Sequence, residues 1–89
     1  MPTLDFDATM VPQDLVAVAG LTQGVSYSGQ NISTTATLFS REAINAPTPG
    51  ARAWRVEAGG AFTLKPMGAP IWLWTDDERG CPVVLAETP

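Results

Sequence analysis

Short stretches in which apolar and polar residues alternate, punctuated by Gly and Pro, organise most of this chain. Leu21, Val25 and Tyr27 fall opposite Thr22 and Ser26; Trp54 and Val56 alternate with Arg55 and Glu57; Phe62 and Leu64 alternate with Thr63 and Lys65. A period of two is the signature of a strand with one buried face. Residues Asn31–Arg41 are rich in threonine and end in Leu38-Phe39, which suits a long or bulged strand on a half-exposed pleated surface. Leu15–Ala19 is short, β-branched and closed by Gly20, so it reads as a first strand, with a helical turn over Pro12–Leu15 as the alternative. The breakers are Ala46-Pro47-Thr48-Pro49-Gly50, Gly59-Gly60 and Pro66-Met67-Gly68-Ala69-Pro70. Six to seven short antiparallel strands between such breakers predict an all-β fold, a compact β-sandwich or small β-barrel. Residues 1–13, with Pro2, Pro12 and alternating acidic and apolar positions, read as an extended N-terminal arm; residues 14–89 form a single β domain.

The C-terminal pattern differs from the rest. Ile71-Trp72-Leu73-Trp74-Thr75 and Cys81-Pro82-Val83-Val84-Leu85 flank the charged turn Asp76-Asp77-Glu78-Arg79-Gly80, a spacing that predicts a β-hairpin. In the first of these strands Trp72 and Trp74 share one face and Ile71 and Leu73 the other, so neither face is polar. An antiparallel strand at a domain surface ordinarily presents one polar face, so a second copy or a larger partner is expected to cover one side. The expected arrangement has Trp72 and Trp74 inward and Ile71 and Leu73 toward a partner; the reverse assignment stays open, as does an exposed Trp72–Trp74 platform for sugar rings. Trp54, on a clean alternating strand, is expected in the core.

Composition then narrows the means of stabilisation. With 89 residues the chain makes one small domain, and domains of this size commonly rely on disulfides, metals or oligomerisation. A single cysteine, Cys81, excludes an intrachain disulfide, and the absence of histidine excludes a Cys/His zinc site. Oligomerisation remains. A net charge of −4 with five dispersed basic residues argues against nucleic acid. No stretch has the length of a membrane span or the pattern of an export signal, so a soluble protein made in a reducing cytoplasm, with no membrane partner, is expected. Asn31-Ile32-Ser33 fits a glycosylation sequon, which without an export signal carries little weight.

Candidate chemistry is sparse. Cys81 lacks an imidazole to activate it and reads as a small buried residue. Ser26, Ser28, Ser33 and Ser40 lack the base a triad needs. Asp76, Asp77 and Glu78 read as solvated turn charge rather than a calcium loop, and Asp5, Asp7 and Asp14 as solvating charge. No catalytic, cofactor or metal residue is expected, and the chain does not read as an enzyme.

The order of these features resembles a type of small virion protein of tailed bacteriophages. The resemblance spans Leu21 to Glu87: Leu21-Thr22-Gln23-Gly24-Val25-Ser26-Tyr27, Leu38-Phe39-Ser40-Arg41-Glu42-Ala43, the Pro/Gly loop, Gly59-Gly60 leading into Phe62-Thr63-Leu64, and Ile71–Thr75 with its Gly80-Cys81-Pro82-Val83-Val84 return. The family it points to is that of head decoration, or cement, proteins. The resemblance implies a non-enzymatic protein on the outer surface of the head at threefold positions, self-associated as a homotrimer, whose partner is the major capsid protein. The interface residues expected on this reading are Leu4, Phe6, Ile71, Trp72, Leu73, Trp74 and Val84, with residues 1–13 ordering on the capsid as an added strand. The alternative is a head-fibre or tail-associated module that recognises host glycan through Trp72 and Trp74.

Overall fold

The structure, a computed structural model, describes residues 3–48 and 50–88. In chain order the elements are β1 (Leu4–Ala8), β2 (Gln13–Asp14), α1 (Leu15–Ala19), β3 (Tyr27–Asn31), β4 (Leu38–Glu42), β5 (Trp54–Val56), β6 (Ala61–Leu64), β7 (Ile71–Thr75) and β8 (Cys81–Glu87). They form two four-stranded antiparallel sheets, one in the order β1-β8-β3-β6 and the other β2-β7-β4-β5. The expected small all-β sandwich is the observed fold.

Its connectivity is less local than the turn signals suggested. Among the described residues only β4 and β5 are both consecutive in sequence and paired; each of the other strand-to-strand connections passes from one sheet to the other. The predicted hairpin is the clearest correction. Strands β7 and β8 have the expected limits, yet β7 pairs with β2 and β4 while β8 pairs with β1 and β3. The Asp76–Gly80 turn is therefore an arch between sheets. Its shape follows from local bonds: Gly80 N–H donates to Asp77 O, and Gly80 takes a φ of 87° that favours glycine. Because both strands lie in the middle of their sheets, both are hydrogen-bonded along two edges.

The first thirteen residues are also corrected. Leu4–Ala8 is no free arm: it pairs along β8 from Leu4↔Leu85 to Ala8↔Cys81, and Phe6 and Ala8 are buried in the core. Met1 and Pro2 lie outside the described residues. Thr9 O then accepts from Thr75 N at 2.9 Å, which stitches the end of β1 to β7 across the sandwich. Leu15–Ala19 is a helix rather than a strand, because caps outweigh its β-branched composition. The Asp14 side chain accepts from Val16 N at 3.0 Å, and Gly20 closes the turn in the left-handed region at φ 68°. Its burial of Leu15 anchors it against the core. The long strand expected over Asn31–Arg41 is divided: Asn31 ends β3, residues 32–37 form a loop, and Leu38 starts β4. The alternation at Leu21–Tyr27 likewise precedes the strand it announced. Leu21 and Tyr27 are buried as expected, but β3 begins only at Tyr27, whose hydroxyl accepts from Thr22 N at 2.8 Å.

The core lies between the sheets. Phe6, Ala8, Tyr27, Cys81, Val83 and Leu85 contribute from one side, and Leu38, Val56 and Leu73 from the other. Gly29 sits in the middle of β3 opposite Phe62 and Leu85, and a Cβ there would come within 2.5 Å of the Phe62 ring. The missing side chain makes room for that ring.

One buried polar residue ties the layers together. Asn31 is 0% exposed. Its amide donates to Ala36 O at 2.9 Å and Val56 O at 3.0 Å, while its Oδ1 accepts from Ser33 N at 3.0 Å and the Cys81 thiol at 3.1 Å. Its backbone N–H donates to Gly60 O and its carbonyl accepts from Gly59 N. The side-chain groups are thus matched to four partners from three parts of the chain, and the sequon Asn31 is closed to modification in the folded protein. Asn31→Ala should cost about 3 kcal/mol, because it leaves two buried carbonyls without donors, and chemical denaturation measures this directly.

Candidate interaction surface

Strand β7 supplies the aromatic pair that drew attention in the sequence, and it places them the other way round. Leu73 is 0% and Ile71 4% exposed, both on the side of β7 that faces the opposite sheet. Trp72 and Trp74 therefore point to the outer face. Neither forms an open platform. Trp74 is only 5% exposed and stacks on Phe39 with ring centroids 5.8 Å apart and planes 20° from parallel. The Arg55 guanidinium lies over Phe39 at 6.0 Å from its centroid. The register explains this file, because Trp74, Phe39 and Arg55 are directly opposite one another across β7, β4 and β5. Trp72 is half-buried and its Nε1 donates to Ala43 O at 2.9 Å, next to the bond from Ala43 N to Pro70 O. Both rings tie β7 to β4 within their own sheet.

Among the other residues expected at an interface, Phe6 is buried within the chain's own core, while Leu4 and Val84 are half-buried on β1 and β8. Phe6, Ile71, Leu73 and Trp74 spend their apolar surface inside the domain. The structure does not gather these residues into one exposed patch.

What the pattern missed is Trp54. It stands at an inward-facing register position opposite Ser40, yet it is 81% exposed. The reason is the ragged edge of the sandwich. Strand β5 has only three residues and pairs on one side only, and β6 is the outer strand of the opposite sheet, so among the described residues nothing closes over Trp54. A cleft of about 390 Å³ opens where the two sheets part, lined by Trp54, Arg55, Val56, Phe62 and Leu64 among others. On the far side of Trp54 a second concavity is lined by Arg41, Glu42, Arg52 and Ala53. Next to that concavity Ile44, 82% exposed, lines a further one with Arg41. Three of the five basic residues of the chain thus surround one exposed tryptophan. Arg41 Nη1 donates to Arg52 O at 3.0 Å, and no carboxylate of the described residues forms an ion pair with these arginines. Exposed Trp among Arg is the composition of interface anchors. A sequence signal existed: Trp54 lies between Arg52 and Arg55, directly after a Pro/Gly loop, in a strand too short to be covered.

The acidic turn sits elsewhere. Asp77 accepts from Arg79 N at 2.8 Å and Nε at 3.2 Å and forms the ion pair with its Nη2 at 3.1 Å. These hydrogen bonds from Arg79 hold the Asp77 carboxyl below its ordinary value. Asp76 and Glu78 remain exposed, beside a concavity also lined by Met10, Thr35 and Ala36.

Among the described residues no group of three His, Cys, Asp or Glu side chains could hold a metal ion, and no helix is long and apolar enough to cross a membrane. Comparison with protein-family models, with curated proteins and with solved structures finds no match to the chain.

Two outcomes follow from the aromatic placement. Trp54→Ala should leave stability within about 0.5 kcal/mol, whereas Trp74→Ala should cost about 3–5 kcal/mol, both read by urea denaturation. A third concerns Cys81, which is fully buried. Burial, and then the charges of Asp77 and Asp76, push its thiol above the ordinary value of 9.0. The folded state therefore holds this proton more tightly than the unfolded state. The associated stability is present below that ordinary value and is lost as pH rises through the raised one. Cys81→Ser should flatten this alkaline decline, and a thiol reagent should label native Cys81 only as fast as the domain opens.

Proposed function

We propose that this protein is a structural virion protein that binds the outer surface of a tailed-phage head at threefold positions, contacts the major capsid protein, associates as a homotrimer and stabilises the shell. The observation that carries the reading is the Trp54 corner: an exposed apolar anchor flanked by Arg41, Arg52 and Arg55 on a domain whose own core is complete without it. Such a surface is suited to docking. The heavily hydrogen-bonded frame behind it suits a part that must bear load without changing shape, since both central strands and the Asn31 junction resist opening. The family resemblance along Leu21–Glu87 supplies the particle, the position and the partner. Glycan recognition through Trp72 and Trp74 has lost its support, because Trp74 is packed beneath Phe39 and Trp72 is bonded to Ala43.

The test combines light scattering on the purified protein with cosedimentation on undecorated heads. The expected result is an oligomer that binds heads saturably and raises their resistance to heat. A strict monomer with no affinity for heads sinks the proposal.

A further inference from the structure

The charges on this small domain are arranged with a direction. Strand β4 runs antiparallel to β7, with Leu38 opposite Thr75 and Glu42 opposite Ile71. The Asp76–Gly80 arch continues from the Thr75 end, whereas Arg41 and its neighbour Arg52 lie at the Ile71 end, roughly 10 Å or more away at about 3.3 Å per residue. Arg55 lies at the β5 edge of the same sheet. The Trp54 corner carries Arg41, Arg52 and Arg55 against one carboxylate, Glu42. The arch carries Asp76, Asp77 and Glu78 against one cation, Arg79, which is already paired with Asp77. Each surface has an excess charge that its own molecule does not neutralise.

Both surfaces also carry apolar groups. Trp54 and Ile44 are exposed at the basic corner, while the acidic end places Met10, 53% exposed, beside Ala36. A tryptophan against a methionine thioether is a favourable contact, and arginines at its rim would meet Asp76 and Glu78.

We propose that the Trp54 corner of one copy docks against the Asp76–Glu78 arch of the next, joining copies head to tail. The inference rests on the reading that the chain self-associates, and it names the surfaces that do so. Charge selects this geometry over the alternative. A two-fold contact through the Trp54 corner sets arginines against arginines, and like charges across an interface are strongly unfavourable. A head-to-tail contact pairs opposite signs and uses two different patches, so each copy binds one neighbour at each end, and the assembly is a ring where the rotation between copies closes. A threefold ring is the smallest such assembly beyond a pair.

Charge reversal tests it. Arg52→Glu with Arg55→Glu reverses the corner, and Asp76→Lys with Glu78→Lys reverses the arch. Arg52→Glu alone is the control that leaves the Arg55–Phe39 contact intact. Thermal melting verifies that each variant folds, and sedimentation velocity measures association. Each reversal, and Trp54→Ala, should weaken association about thirtyfold or more, and rising salt should weaken the wild-type assembly. The chain carrying both reversals should assemble again. If the wild type assembles and neither reversal alters it, or the doubly reversed chain stays monomeric, the head-to-tail contact is overturned while self-association stands. If Trp54→Ala assembles normally but no longer binds heads, the corner faces the capsid and the inference fails. A wild type that is monomeric at every concentration overturns both.

Discussion

Everything in this domain depends on the satisfaction of one buried amide. Asn31 occupies the point where β3 ends, where the loop to β4 begins, and where β5, β8 and the Gly59-Gly60 turn converge. An apolar residue there would leave the carbonyls of Ala36 and Val56 stranded between two sheets, with no water to replace the amide. A charged residue would set a carboxylate against those same carbonyls. Only a side chain that offers two donors and two acceptor lone pairs answers all the neighbours. Such fully matched networks favour one arrangement of the surrounding strands over others, because any slip in register leaves a polar group unanswered.

Hydrophobic burial explains the remainder of the scaffold, and it also explains why the aromatic residues ended in unexpected places. The alternation at Phe62–Leu64 and Trp54–Val56, and the apolar run Ile71–Thr75 before its turn, located three strands correctly, since such patterning is a property of the local chain. It did not reveal pairing. The apolar character of β7 on both faces arises because Leu73 fills the core while Trp74 stacks across its own sheet on Phe39, two roles that a single strand's sequence does not separate. The Asp76–Gly80 turn contains the residues of a hairpin, but the choice between a hairpin and an arch is made by β1, β2, β3 and β4 competing for the edges of β7 and β8. That competition is non-local.

The site was less legible than the fold for a related reason. Trp54 satisfies the alternation expected of a core residue, and what exposes it is that no strand among the described residues covers that edge, a non-local outcome hinted at only by the short strand and the flanking arginines. Conversely, Leu15–Ala19 looked like a strand by composition and became a helix through its two neighbours, Asp14 and Gly20, whose capping contributions outweigh the modest preference of Val16 and Val18 for extended backbone. In both cases the flanking residues carried more information than the segment itself. Arg52 and Arg55 around Trp54 are the same kind of clue.

The topology has a consequence for how the protein is made. Among the described residues β1 finds its one sheet partner in β8, and β8 also separates β1 from β3. During synthesis at about 5–20 residues per second, Leu4–Ala8 must wait several seconds for Cys81–Glu87 to emerge. Until then one of the two layers lacks a central strand, and Cys81, Val83 and Leu85 are missing from the core around Phe6, Leu15 and Tyr27. The nascent domain is thus held open until Cys81–Glu87 has left the ribosome, and its apolar segments are candidates for chaperone binding throughout that interval.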